Sequence, residues 1–119
     1  MEKTVHQNIA AGIAASVAVK TKSADEALSH IKSGDRVFVG SACATPQMLI
    51  QTLEETGAAL DDVKLVHFLT SGAIPVVDGK PKTRFQHKIF FVGSNDREAV
   101  KQGKAQYIPI SIAQLPAMI

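Results

Sequence analysis

A chain of 119 residues holds one domain or a part of one, with room for only a modest core. Hydrophobic residues make up 45% and charged residues 20%, an ordinary globular composition, and the net charge of +2 rests on lysines and arginines scattered along the chain. Aromatics are few and none interleave with basic residues, so nothing supports nucleic-acid binding.

The first segment of note is the apolar run Ile9–Val19. It falls short of the roughly 20 residues that a membrane-spanning helix needs. As a signal-peptide core it is badly flanked, with Glu2 at the start and His6, Gln7 and Asn8 just before the run. The run reads as a mobile or loosely packed extension of a cytoplasmic protein with no membrane partner. Ala24, Ala27, Leu28 and Ile31 then fall at i, i+3, i+4 and i+7 and predict a helix. Ser23 and Glu26 form a capping box in front of it, and Gly34 stops it. Arg36–Val39 predicts a first strand, followed by Gly40 and the small-residue loop Ser41–Thr45. Pro46 suits the first position of a second helix, because its missing N–H is not needed there. Leu49, Leu53, Thr56 and Leu60 continue that helix, with Gly57 ending or interrupting it.

Val63–Leu69 is nearly all apolar, as a strand covered on both faces should be. Thr70–Arg84 predicts a long loop with its charged tip at Asp78-Gly79-Lys80-Pro81. Lys88–Val92 predicts a third strand. Asn95 with Glu98 suggests a capped short helix that Gly103 ends, and Gln106–Ile110 a fourth strand. Ser111–Leu115 turns, and Pro116 begins another helix that stops at once, so the chain is expected to be cut off. The alternation of helix and strand predicts an α/β fold with a mostly parallel sheet covered by helices.

The chemistry-bearing residues narrow quickly. His6, His30, His67 and His87 lack ligand spacing, so no metal site is expected. His67, inside a strand, reads as a hydrogen-bonded core histidine, and His87 as a surface residue. Asp61 and Asp62 read as a solvated turn, and Glu54 and Glu55 as the polar side of a helix. The lone Cys43 excludes an intrachain disulfide and gives no sign of an oxidising compartment. It sits in the small-residue loop with no His, Lys or Asp nearby to activate it, so it reads as filler rather than nucleophile. That loop, Gly40 to Thr45 with Pro46, is the best candidate ligand site. It carries neither a dinucleotide-binding glycine fingerprint nor the Lys-Ser/Thr of a P-loop. Its backbone N–H groups and the following helix N-terminus suit an anion or a polarised carbonyl. A plain strand-to-helix connection is the simpler alternative.

Ser23-Ala-Asp-Glu-Ala, then Ile31-Lys-Ser-Gly-Asp-Arg-Val-Phe-Val-Gly and the loop to Pro46, resemble the start of the acetyl-CoA hydrolase/transferase family, which includes 4-hydroxybutyrate and acetate CoA-transferases. Val66-His67-Phe68-Leu69-Thr70 with Gly72, Phe90-Phe91-Val92-Gly93 with Asn95, Arg97 and Glu98, and Gly103-Lys-Ala-Gln-Tyr-Ile-Pro-Ile with Leu115-Pro116 continue the resemblance in order. It spans residues 21–119 and leaves 1–20 as an unmatched extension. The resemblance implies an incomplete N-terminal domain of a longer protein built from two similar α/β domains. Such proteins exchange coenzyme A between small carboxylic acids, or pass the acyl group to water. A glutamate of the second domain attacks the acyl-CoA and ends as a glutamyl-CoA thioester. Coenzyme A is substrate there, no cofactor is implied, and most of its contacts come from the second domain. Glu26, Glu54, Glu55 and Glu98, at helix caps or helix surfaces, do not match that nucleophile, so no catalytic residue is expected in this chain. By resemblance, Gly40, Ser41, Ala42, Thr45 and Pro46 form part of the wall against which the acyl group rests. The implied partners are an acyl-CoA, a small carboxylate, and a C-terminal half or partner chain, with homo-oligomer formation left open. The other readings are a non-catalytic α/β binding module and one subunit of a split transferase.

Overall fold

The structure, a computed structural model, describes residues 2–72 and 84–118, and side-chain surroundings from residue 7 onward. Most of the loop expected over Thr70–Arg84, with its tip at Asp78–Pro81, lies outside the described residues.

Four strands form one parallel sheet in the order β1-β2-β3-β4. β1 is Arg36–Val39, β2 Val63–His67, β3 Phe85–Ile89 and β4 Ala105–Tyr107. The helices are α1 (Glu2–Lys20), α2 (Ala24–Leu28), α3 (Gln47–Thr56) and α4 (Arg97–Lys101). Short 3₁₀ turns cover Ala42–Ala44, Gly57–Ala59 and Ile112–Ala117. This is the α/β class expected from the sequence.

Register divides the sheet into two unlike faces. Val37 and Val39 stand beside Leu65 and His67, which stand beside His87 and Ile89. This face packs on α3, and the buried core is Val39, Ile50, Leu53, Val63, Leu65 and Phe85, with Leu28, Ile31, Val37 and Leu60 against it. Each such apolar side chain contributes about 1.5–3 kcal/mol on burial. The alternating residues, Arg36, Phe38, Lys64, Val66, Gln86 and Lys88, make up the other face.

The strands and helices differ from the sequence reading at specific places. β1 has the expected bounds. β2 ends at His67, not Leu69, because the chain there bends into the next loop. β3 lies three residues earlier than Lys88–Val92. Its pattern Phe85-Gln86-His87-Lys88-Ile89 alternates in burial, with His87 on the inner face at 2% exposure. His87 is therefore a core residue and not a surface one. Its Nδ1 lies 3.2 Å from Nε2 of His67, a pairing that lets two imidazoles share a buried site. β4 keeps only Ala105–Tyr107, and Pro116 falls inside the last 3₁₀ turn instead of opening a helix.

At the helix ends, Ser23 caps α2 by accepting the Glu26 N–H at 3.1 Å, but the Glu26 carboxylate pairs with Lys22 instead of closing the box. Pro46 is the N-cap of α3, one position before the expected one. Asp96, not Asn95, is the N-cap of α4. Asp62 is no free turn residue: its carboxylate accepts from Lys64 Nζ and Gln86 Nε2. The segment ahead of α2 is a 19-residue helix, α1, that packs against no other element among the described residues. Ile9, Ile13, Val17 and Val19 on it are more than half exposed. No helix among the described residues is long and apolar enough to cross a membrane.

Candidate functional site

Parallel strands point their carboxyl ends the same way, so the segments leaving β1, β2 and β3 gather at one edge of the sheet, where α/β folds place ligands. Here those three segments are stitched together. The Ala42 N–H donates to Leu69 O at 2.7 Å, tying the loop after β1 to the loop after β2. Thr45, 8% exposed, donates its hydroxyl to Ala42 O at 2.7 Å and accepts the Ser71 N–H at 3.2 Å. Gln47 Nε2 donates to Ser71 O. Asn95 Nδ2 then donates to Gly72 O at 2.7 Å and brings in the loop after β3. The side chain expected to cap α4 thus holds a neighbouring loop.

Two glycines make this stitching sterically feasible. A β-carbon on Gly40 would lie 2.6 Å from the carbonyl oxygen of Ala44, so the chain turns there only without a side chain. Gly72 has φ +82° and faces the Gln47 side chain, a conformation and a contact that L-residues rarely accept.

The result is an open cavity of about 320 Å³ lined by Ala42, Cys43, Thr45, Gln47, Ser71 and Gly72. Of the residues expected from the sequence to form the acyl wall, Ala42 and Thr45 line it, while Gly40, Ser41 and Pro46 do not. Gln47, Ser71 and Gly72 were not singled out. Their common signal is small or amide residues just past β2 and at the start of α3, which only the parallel pairing of β1 and β2 brings together. The N–H groups of Ala42, Ala44, Thr45 and Gln47 are bonded within the fold. The segment therefore offers a small-side-chain wall more than a ring of amide donors. No side-chain cap closes the N-terminus of α3, which borders this wall. Cys43 is exposed, and no hydrogen bond or ion pair engages its thiol among the described residues. The described residues hold no cluster of three or more His, Cys, Asp or Glu suited to a metal ion.

Two buried ionisable groups lie close to this edge. His67 ends β2 at 1% exposure, and burial, with the neighbouring His87 second, lowers its pKa from 6.5 to about 4. Its Nδ1 has no hydrogen-bond partner among the described residues, so the ring is held neutral. Asp96 is fully buried, and neither carboxylate oxygen has a hydrogen bond of normal geometry. Burial raises its pKa, with the Gly93 N–H and the Thr70 hydroxyl pulling it back.

Comparison with known proteins identifies the frame in which this edge sits. The sequence profile of the acetyl-CoA hydrolase/transferase N-terminal domain matches residues 11–119. The chain is 35% identical over 96 residues to the succinyl-CoA:acetate/propanoyl-CoA:succinate CoA transferase of Fasciola hepatica, covering 79% of this chain and 20% of that protein. It is 27% identical over 99 residues to the 4-hydroxybutyrate coenzyme A transferase of Clostridium kluyveri, covering 83% of this chain and 23% of that one. In fold it is similar to the crystal structure of RipA from Yersinia pestis, with a TM-score of 0.67 at 21% identity over 82% of this chain and 25% of RipA. The chain thus spans about a fifth of the length of the curated relatives it matches. The chain belongs to the acetyl-CoA hydrolase/transferase family, whose N-terminal domain it represents.

Proposed function

We propose that this chain supplies the N-terminal share of the site in a CoA transferase or acyl-CoA hydrolase, an assembly that moves coenzyme A between small carboxylic acids or passes the acyl group to water. In this reading the reaction passes through a glutamyl-CoA thioester whose glutamate belongs to another part of the assembly, and this chain is inactive alone. The segment Gly40–Pro46 serves as a wall for the acyl group. The observation that carries the proposal is the stitched cavity at the carboxyl end of β1 and β2, walled by Ala42, Thr45 and Gly72. Small side chains leave space for a short acyl chain, and the uncapped end of α3 favours negative charge developing beside it. Glu54 and Glu55 lie on α3 and Glu98 on α4, and none of them lines the cavity.

The test is a hybrid in which residues 21–119 replace the matching stretch of the Fasciola hepatica transferase. Thiol release from acetyl-CoA is followed for the hybrid and for the 119-residue chain alone. The hybrid is expected to transfer coenzyme A and the isolated chain to stay at the buffer rate. A folded hybrid without transfer overturns the proposal, as does turnover by the isolated chain. Cys43→Phe, which adds bulk at an exposed position of the cavity lining, is expected to cut the hybrid's rate at least about tenfold while the hybrid stays folded by circular dichroism.

A further inference from the structure

Asn95 and Asp96 stand in succession ahead of α4, and both are residue types that cap helices well. Neither side chain is used that way. Asn95 Nδ2 donates to Gly72 O at 2.7 Å, on the cavity lining. Asp96 holds the N-cap position without a side-chain hydrogen bond to the helix, and it is fully buried. Its carboxyl group faces the Gly93 N–H and the Thr70 hydroxyl, with a hydrogen bond of normal geometry to neither. A β-carbon on Gly93 would lie 3.6 Å from Asp96 Oδ2 and 4.0 Å from Thr70 O, so the loop after β3 meets the loop after β2 at this point. The helix thus forgoes two local caps in a row, and both side chains turn to the same neighbouring loop. Broken local rules of this kind gather at sites whose geometry matters elsewhere.

What these two side chains hold is one wall of the cavity. Thr70 is buried, and its hydroxyl makes no hydrogen bond of normal geometry among the described residues. The next residue, Ser71, donates its N–H to Thr45 Oγ1 at 3.2 Å, and Ser71 and Gly72 both line the cavity. We propose that Asp96 is a positioning residue for the acyl wall: together with Asn95 it clamps Thr70–Gly72 and so sets how closely that wall approaches a short acyl group. The clamp is argued from the two loops alone, and its effect on substrate rests on the acyl-site reading of the cavity. Asp96 does not line the cavity and acts through Thr70. Burial raises its pKa and favours the neutral acid, which can accept from Gly93 while donating to Thr70. A receding wall costs a two-carbon acyl group its contact before a four-carbon one, since the longer chain still reaches it. The clamp therefore bears on selection between acyl lengths as well as on stability.

The test compares Asp96→Ala, which removes the carboxyl group, with Asp96→Asn, which keeps its shape with a neutral donor and acceptor. In the 119-residue chain, Asp96→Ala is expected to speed amide hydrogen exchange at Ser71 at least about tenfold while the amides of β1, β2 and β3 keep their rates. Asp96→Asn is expected to stay within about twofold of the unmodified chain. Unchanged exchange at Ser71 overturns the clamp, and so does a rise shared equally by the strands. If Asp96→Ala no longer melts cooperatively, Thr70→Val is read in its place with the same expectation. In the hybrid transferase, Asp96→Ala is expected to raise the ratio of kcat/KM for butyryl-CoA over acetyl-CoA at least about fivefold, and Asp96→Asn to restore it. Equal loss for both substrates overturns the positioning role. An unmodified hybrid that transfers nothing removes the catalytic proposal, and exchange at Ser71 then decides the clamp by itself.

Discussion

At Gly40 the chain passes within 2.6 Å of where a β-carbon would meet the Ala44 carbonyl. Backbone cannot swing aside as a side-chain end can, so Gly40→Ala must displace the turn. It is expected to cost about 1–3 kcal/mol, measured as a lowered midpoint in chemical denaturation. His67 carries a second prediction. Its folded-state pKa of about 4 lies below the ordinary 6.5, so the unfolded chain binds the proton more readily. Stability from this residue is therefore fully present above pH 6.5 and is lost as pH falls toward 4, by about 3 kcal/mol over that span. His67→Phe, which fills the site without titrating, is expected to flatten the fall in denaturation midpoint between those pH values. An unchanged slope would show that the acid loss arises elsewhere.

Among the elements, the connection between β1 and α3 depends most on one side chain. Thr45 holds both Ala42 O and the Ser71 N–H. Thr45→Val keeps the shape and removes both bonds, leaving a part-buried amide without its acceptor. The expected loss is about 1–3 kcal/mol, with faster hydrogen exchange confined to Ser71 and its neighbours. How legible each element was in the sequence follows from its punctuation. β1 sits between Gly34-Asp35 and Gly40, and both ends were readable. β3 was displaced because Ile89–Val92 is a continuous apolar run, whereas the ladder begins at Phe85 and crosses a histidine. A buried imidazole pair reads as polar in sequence, and the contact that buries it lies 20 residues away. The loop at Gly40–Pro46 was visible for its lack of bulk. Ser71, Gly72 and Asn95 were not, because their part in the site comes from strand pairing and from a cap that turned out to serve another loop. α1 escaped notice as a helix because its apolar residues, spread around the axis among alanines, give no periodic stripe.

On the scale of the whole molecule, α1 stands apart from the sheet, and the longest dimension reaches 65 Å. A helix that packs against no other element among the described residues has only its own backbone hydrogen bonds and residue propensities to hold it, and at this length those are marginal in water. Heat should therefore act on two bodies in one chain. The sheet and its core lose structure together over a narrow range, while α1 unwinds gradually from its ends. Far-ultraviolet ellipticity is expected to slope downward well before the near-ultraviolet signal of Tyr107 and the phenylalanines moves. Deleting residues 1–20 should remove that slope and leave the cooperative midpoint in place; a midpoint that drops with the deletion would mean that α1 does lean on the sheet in solution. The molecule would then be a cooperative unit with a non-cooperative appendage, and a single van't Hoff enthalpy taken from helix signal alone would describe neither.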